Sequence, residues 1–357
     1  MCDMCDQQTG DSQARTGTKV IPVDEAVGMI LPHDITEIIP GEFKGRAFKK
    51  GHVVRVQDIE HLKRIGKEHL YLLEIKDDEM HENDAAIAMA HALAGTGVTM
   101  EDEPNEGKVN LVAEIDGLLK VKHQALTDFN YLGEVMCATL HNNYVVQKGQ
   151  VLAGTRAIPL LVKKAIVNEA VRIAENAGAI LSVTPMRKPK AGIVITGNEV
   201  YHGKIKDAFE HVITEKIKKF DGEIVGVHFA PDNANFIEDR INELIDAGAD
   251  LIITTGGMSV DPDDVTRFAI KNIGVDELHY GSPVLPGAMF LVAYIGDIPV
   301  LGIPACGMYA SITVFDLLLP RVLAGEKIGR RELAELGHGG LCLKCKKCQY
   351  PVCPFGK

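Results

Sequence analysis

An α/β fold, with a three-layer domain on a mostly parallel sheet, is predicted for the second half of this 357-residue chain. An N-terminal α+β and β-rich region precedes it. Three observations carry the prediction. Short, wholly apolar runs end in glycine, as buried parallel strands do. Segments with helical spacing alternate with those runs, which is the pattern of strands joined by crossover helices. Hydrophobic residues make up 46% of the chain and charged residues 24%, which is enough to bury a core and excludes wholesale disorder.

Taken in order, residues 1–18 are polar and acidic and contain Cys2 and Cys5, so a flexible N-terminus is expected. They have neither the basic nor the apolar stretch of a targeting signal. Residues 19–105 predict an α+β region. It holds a short helix at 59–65, with Asp58 as N-cap and Gly66 as stop, and an alanine-rich helix at 83–94. His81 and His91 are ten apart rather than four, which favours structural roles over metal ligation. Residues 106–189 predict a β-rich domain and a linker helix. Short alternating runs over 108–159, punctuated by Asp116-Gly117, Asn142-Asn143 and Lys148-Gly149, predict a small barrel or sandwich, and a helix follows at 161–176.

Residues 190–328 give the clearest pattern. A strand over 192–196 ends in Gly197, a helix covers 208–220, and a strand covers 223–228. The helix over 235–247 places Phe236, Ile237, Ile241, Leu244 and Ile245 on one face and stops at Gly248. The strand 250–255 ends in Gly256-Gly257. Strands 289–295 and 298–303 flank Gly296-Asp297, a two-residue hairpin signal, and an apolar helix is expected over 309–323. Residues 338–357 form a cysteine-rich tail.

The formal net charge of −11 argues against a general nucleic-acid binder, which needs a basic footprint. The longest uncharged stretch, 298–315, is broken by Pro299, Gly302, Pro304 and Gly307, so it reads as strand, loop and helix rather than a membrane span. The cysteines cluster at the two ends instead of spreading through the core, so they read as reduced metal ligands rather than disulfides. These features predict a cytoplasmic protein with neither membrane nor nucleic-acid partner.

Three motifs fall at carboxyl ends of the predicted strands, where open parallel sheets bind ligands. They are Thr196-Gly197-Asn198-Glu199, then Thr254-Thr255-Gly256-Gly257-Met258-Ser259 with Asp261, Asp263, Asp264 and Thr266, then Gly302-Ile303-Pro304-Ala305-Cys306-Gly307. Glycine pairs let backbone N–H groups face an anion. The aspartates offer the hard oxygens that Mg²⁺ prefers.

Ile195-Thr196-Gly197-Asn198-Glu199-Val200, with Thr254-Thr255-Gly256-Gly257-Met258-Ser259 and Asp264-Val265-Thr266, resembles the molybdopterin-binding domain of molybdopterin adenylyltransferases and molybdopterin molybdenumtransferases. The resemblance covers about 190–325. It extends to 23–73, where Val23-Asp-Glu-Ala-Val-Gly-Met-Ile-Leu-Pro-His-Asp34 looks like the opening segment of the molybdenumtransferases.

The resemblance implies a transferase of molybdenum cofactor biosynthesis that inserts molybdate into (adenylylated) molybdopterin with Mg²⁺. A homodimer and a recipient molybdoenzyme are candidate partners, with the oligomeric state and the identity of that enzyme left open. By the resemblance, Gly256 and Gly257 cradle a phosphate, Asp264 acts through the metal with Asp261, and Glu199 and Asp207 hold Mg²⁺ or order a nucleotide. Ser259 and Thr266 donate from their hydroxyls, and Thr196, Gly197, Asn198, Thr255, Pro304 and Cys306 complete the ligand-binding set. The chain departs from the pattern at Pro286-Gly287-Ala288, where such families carry Pro-Gly-Lys, and at Pro304-Ala305-Cys306-Gly307, where they carry Pro-Gly-Asn-Pro or Pro-Gly-Ser-Pro. Lys204 or Lys206 is the expected source of replacement charge. These departures motivate the alternative, a non-catalytic carrier of the cofactor.

Cys306 reads either as a small buried residue or as a thiol whose pKa a helix N-terminus lowers. In the tail, Cys342-x₂-Cys345-x₂-Cys348-x₄-Cys353-Pro354 can surround one Zn²⁺ or one iron–sulfur cluster. Four lysines and no acid among residues 342–357 make it a separate cationic appendage, and Cys2-x₂-Cys5 could complete its site.

Overall fold

The computed structural model describes residues 18–73, 75–258 and 265–357. Cys2, Cys5, Ser259, Asp261, Asp263 and Asp264 lie outside the described residues. The chain folds as two compact units. One comprises the chain up to Ile115, Lys120–Leu140 and Gln147–Val183; the other comprises Asp116–Leu119, His141–Val146 and Thr184–Lys357.

The second unit is an α/β three-layer domain. Its strands are β1 (Lys190–Thr196), β2 (Glu223–Ala230), β3 (Leu251–Thr255), β4 (Glu277–Tyr280), β5 (Leu291–Ile295) and β6 (Ile298–Ile303). They form one sheet in the order β2-β1-β3-β6-β5-β4. β2, β1, β3 and β6 run parallel, whereas β5 is antiparallel to both β6 and β4. Ile295 faces Ile298 across Gly296-Asp297, so the hairpin is the two-residue one.

Residues alternate between the two faces of the sheet, which is why its strands read as continuous apolar runs. Ile193, Ile195, Leu251, Ile253, Leu301 and Ile303 pack on one face with Phe209, Ile213 and Ile217 of helix α2 (Phe209–Lys218) and with Phe315, Leu318 and Val322 of helix α5 (Val314–Leu323). Val194, Ile252 and Val300 pack on the other with Ile237, Ile241 and Leu244 of α3 (Ala234–Asp246) and Ala269 and Ile270 of α4 (Thr266–Asn272). A one-turn helix α1 (Asn198–Tyr201) follows β1, and α6 (Arg330–Glu335) comes late in the chain.

Two expectations are corrected in this unit. The last long helix begins at Val314 rather than at residue 309. Thr313 and Asp316 build a capping box there: Phe315 N–H donates to Thr313 Oγ1 (3.2 Å) and Thr313 N–H donates to Asp316 Oδ2 (2.8 Å). Upstream, Ala305–Met308 is only a 3₁₀ turn. The cysteine-rich segment is not a separate appendage either. Phe355 is 3% exposed within the same core as Leu317 and Val322, and Cys342, Tyr350 and Cys353 pack against that core.

The first unit has its own hydrophobic packing. Around Val23, Leu31, Ile35, Val54 and Leu62 pack the antiparallel pair Thr18–Pro22 with His69–Leu73, the hairpin Ile35–Ile39 with Phe43–Phe48, and the helix Asp58–Arg64. Asp58 is the first helical residue rather than the N-cap. Its carboxylate accepts from Arg55 N–H (2.8 Å) and contacts His52 Nε2 (2.7 Å), while Gly66 at φ +81° ends the helix as expected.

The expected barrel or sandwich is instead an open four-stranded antiparallel sheet. Its order is Val98–Met100, Lys108–Ala113, Val151–Ala157, Val135–Thr139, so it crosses the expected 105/106 boundary. The alanine-rich helix Glu82–Leu93 lies on this sheet and against the helix Lys164–Asn176. Its buried Ala85, Ala86 and Ala90 let backbones approach closely, so a helix occupies the place of a second sheet. A further helix, His123–Tyr131, interrupts the predicted β run and buries Phe129. Among the described residues, no helix is long and apolar enough to cross a membrane.

Candidate functional site

The parallel strands β1, β3 and β6 end together, and the loops that follow them open on one cavity of about 790 Å³. Its wall includes Thr196, Glu199, Asp207, Gly256, Gly257, Pro304 and Cys306. Chain reversal after β3 depends on two left-handed glycines. Gly256 has φ +78° and Gly257 φ +56°. A Cβ on Gly256 would run into the Thr196 carbonyl oxygen, and one on Gly257 into Thr266 Oγ1. The turn therefore packs directly on Thr196 and Thr266, with no room for a side chain at either glycine.

Behind that wall the hydroxyls form a brace. Thr196 Oγ1 donates to the Thr255 carbonyl (2.8 Å) and lies 3.0 Å from Thr266 Oγ1. Thr255 and Thr266 are fully buried. Neither is on the described lining of the cavity, and through Thr196 they support the loop. The Thr255 hydroxyl is buried with no hydrogen-bond partner among the described residues.

Asn198 is also committed elsewhere. Its Oδ1 accepts from Asp232 N–H (3.2 Å) while its own N–H donates to Asp232 Oδ2 (3.0 Å), a reciprocal clasp that ties α1 to the turn after β2. Gly197, at φ +136°, supplies the bend before α1. On the far side, Tyr280 Oη donates to the Met258 carbonyl, and the Arg267 guanidinium stacks over the Tyr280 ring at 4.7 Å. This second brace fixes where the glycine loop leaves the cavity.

The carboxylates on the described wall are Glu199 and Asp207. Asp207 accepts from Phe209 N–H (3.0 Å) and Glu210 N–H (2.8 Å), so it caps α2 while it faces the cavity. Hard oxygens of this kind suit Mg²⁺. Among the described residues, however, no three His, Cys, Asp or Glu side chains stand together as a site for one metal ion. The expected Mg²⁺ ligands Asp261 and Asp264, and the hydroxyl of Ser259, lie outside the described residues.

Cys306 sits in the 3₁₀ turn, eight residues before the helix, and is half-buried. Burial pushes its thiol pKa up, so the reading in which a helix N-terminus lowers that pKa is corrected. Ala288 is exposed on the cavity wall and brings no charge. Among the described residues, the cations that border the cavity are Lys206, one of the two expected, and Lys344 from the cysteine-rich segment. Lys344 escaped the sequence reading because only the folded tail carries it there. Leu285 N–H donates to the Gly340 carbonyl (2.8 Å) and Cys342 N–H to the Leu285 carbonyl (2.9 Å), which lays the tail beside Pro286-Gly287-Ala288.

Comparison with known proteins bears on this geometry. Residues 192–324 match the family described as a probable molybdopterin binding domain, and residues 20–74 match a domain of unknown function (DUF8806). A CinA-like protein of Mycobacterium avium (strain 104) is 36% identical over 92 residues, 24% of this chain and 21% of that protein. The chain therefore spans about a fifth of that relative's length. The molybdopterin molybdenumtransferase of Haemophilus influenzae (strain ATCC 51907 / DSM 11121 / KW20 / Rd) is 26% identical over 157 residues, 42% of this chain and 38% of that enzyme. Among solved structures, the molybdopterin biosynthesis enzyme MoaB from Thermus thermophilus aligns with TM-score 0.33 and 21% identity, covering 39% of this chain and 98% of that one. Most of the strand-end cavity thus lies within the segment 192–324, which matches the probable molybdopterin binding domain family.

Proposed function

We propose that this chain binds molybdopterin in the strand-end cavity and acts in molybdenum cofactor biosynthesis. Its reaction would be the insertion of molybdate into molybdopterin or its adenylylated form. The observation that carries the reading is the convergence of the β1, β3 and β6 loops on one cavity, inside the segment that matches the molybdopterin-binding family. The Gly256-Gly257 turn offers backbone N–H groups to a terminal phosphate, an arrangement that captures anions without a basic surface. Lys206 and Lys344 add two local positive charges, as an acidic chain requires. Mg²⁺, held by Glu199 with Asp261 and Asp264, would offset the repulsion between phosphate and molybdate. Asp207 holds the start of α2, and with it one wall of the cavity, in place.

The test uses the full chain with molybdopterin, adenylylated or not, and molybdate and Mg²⁺. Asp264→Asn is expected to abolish molybdate insertion while retaining pterin binding; turnover at the unsubstituted rate would refute the mechanism. Ala288 supports the second reading, because no ammonium stands at that point of the wall. A protein that binds molybdopterin but forms no molybdate- and Mg²⁺-dependent product would be a carrier.

A further inference from the structure

A second cavity, of about 450 Å³, lies in the same unit, and five of the six described cysteines border it: Cys306, Cys342, Cys345, Cys348 and Cys353. All five are free thiols. Both ends of the cysteine run are fixed to the body. Cys342 is tied through its backbone to Leu285, and Phe355, two residues beyond Cys353, is in the core. Between these anchors the run turns back on itself. Lys344 adopts a left-handed conformation (φ +51°), and its N–H donates to Cys342 Sγ at 3.5 Å. An amide directed at sulfur is a common outer-shell contact of metal-bound cysteine.

The placement of the cysteines bears on which metal such a run can hold. One Zn²⁺ draws four sulfurs to about 2.3 Å from a single point. Here the five cysteines are spread around the lining of an open pocket of about 450 Å³. Among the described residues no three of them meet at a single-ion site. A cubane cluster asks for the wider spacing, because each thiolate binds its own iron.

We propose that Cys342, Cys345, Cys348 and Cys353 hold a four-iron, four-sulfur cluster in this cavity. Cys306 stands beside it as an unligated thiol. Two ferrous ions, two ferric ions, four sulfides and four thiolates assemble as the four thiols release their protons. The product carries two negative charges, which Lys344, Lys346 and Lys347, interleaved with the cysteines, offset. Pro286, Cys306, Tyr309 and Lys344 border both cavities, so the cluster lies one wall away from the proposed pterin cleft.

The experiment loads the full-length reduced chain anaerobically, either with ferrous and ferric iron in equal amounts plus sulfide or with Zn²⁺ alone. The expected result is four irons and four acid-labile sulfides per chain, with visible absorption and a paramagnetic signal after reduction by dithionite. Cys345→Ser and Cys348→Ser change exposed residues, so each is expected to lose the cluster while keeping its circular dichroism. Cys306→Ser is expected to retain full iron. One tightly held Zn²⁺ that excludes iron, full iron in the Cys345→Ser/Cys348→Ser double variant, or loss of iron in Cys306→Ser would each overturn the assignment. No pterin enters this test, so it stands or falls separately from the proposed function.

Discussion

Replacing Phe355 with Ala asks whether the end of the chain belongs to the core. Phe355 is 3% exposed among Leu317, Val322 and Leu333. A buried aromatic ring removes about 200 Å² from water, and at about 25 cal/mol per Å² that is worth roughly 5 kcal/mol. Core Phe→Ala changes cost about 3–5 kcal/mol once partial relaxation is included, and we expect a loss in that range for the second unit. The chain lacks tryptophan, so denaturation is best followed by far-UV circular dichroism rather than intrinsic indole fluorescence. The two units can unfold separately, and the transition that shifts should be the one assigned to the α/β sheet. Lys344, Lys346 and Lys347 are already exposed, and release of the tail before the rest unfolds would free the backbone around them for cleavage by trypsin at native conditions, a second readout of the same contact. An unchanged denaturation midpoint together with unchanged resistance to trypsin would refute the reasoning.

Gly257→Ala places a side chain at φ +56° and against Thr266 Oγ1. The conformation costs about 1–2 kcal/mol and a displaced Thr196–Thr266 bond about 1 kcal/mol more; denaturation and molybdopterin titration should both weaken. Lys216→Met removes the counterion of Asp316, with which it forms a largely buried pair, and also removes the bond from Lys216 Nζ to the Ser311 carbonyl (3.0 Å). Leaving Asp316 unpaired is expected to cost about 3–5 kcal/mol, measured by urea titration.

His81 accepts from Asn83 N–H through Nδ1 (3.1 Å), capping the helix Glu82–Leu93, and its Nε2 meets the Pro32 carbonyl. Burial pushes its pKa below 6.5, and that of His33 likewise. The folded state therefore keeps both rings neutral while the unfolded chain takes up protons. Their contribution is complete above pH 6.5 and declines as the pH falls from there towards the folded-state values. His81→Gln should flatten that decline in a pH series of melting temperatures; a slope identical to the unsubstituted protein's would refute the assignment.

The α/β half was legible in the sequence because each strand carries two buried faces. Val194 and Ile252 look one way while Ile193 and Ile253 look the other, and such a run has few alternatives to a central strand. The helix 123–131 was not legible. It lies between alternating segments and buries only Phe129, so its local signal is weak and its packing decides it. The segment 305–313 was misread for a related reason. Its apolar composition suits a helix, but Thr313 and Asp316 make a stronger start signal, and the residues before it turn once and stop. In the cavity, Gly256 and Gly257 were readable because their chemistry is local to the backbone. The commitments of Thr266 to Thr196 and of Asn198 to Asp232 are not, since they depend on residues 70 and 34 positions away.

The tail shows the same limit from the other side. Cysteine spacing reveals that a run can bind metal but says nothing about what lies beside it. Its position is set by two backbone hydrogen bonds to Leu285 and one phenyl ring in the core. Neither leaves a local sequence signature, yet together they bring Lys344 to the wall where Ala288 supplies no charge. On the proposed function, an acidic chain needs its cations placed locally to capture an anion, and one of them, Lys344, comes from a segment that the sequence sets apart from the domain. Folding makes that segment part of the cavity wall, so any change that undocks the tail, Phe355→Ala included, should also remove a positive charge from the ligand cleft. Weaker anion binding should then accompany the loss of stability, rather than appear independently of it.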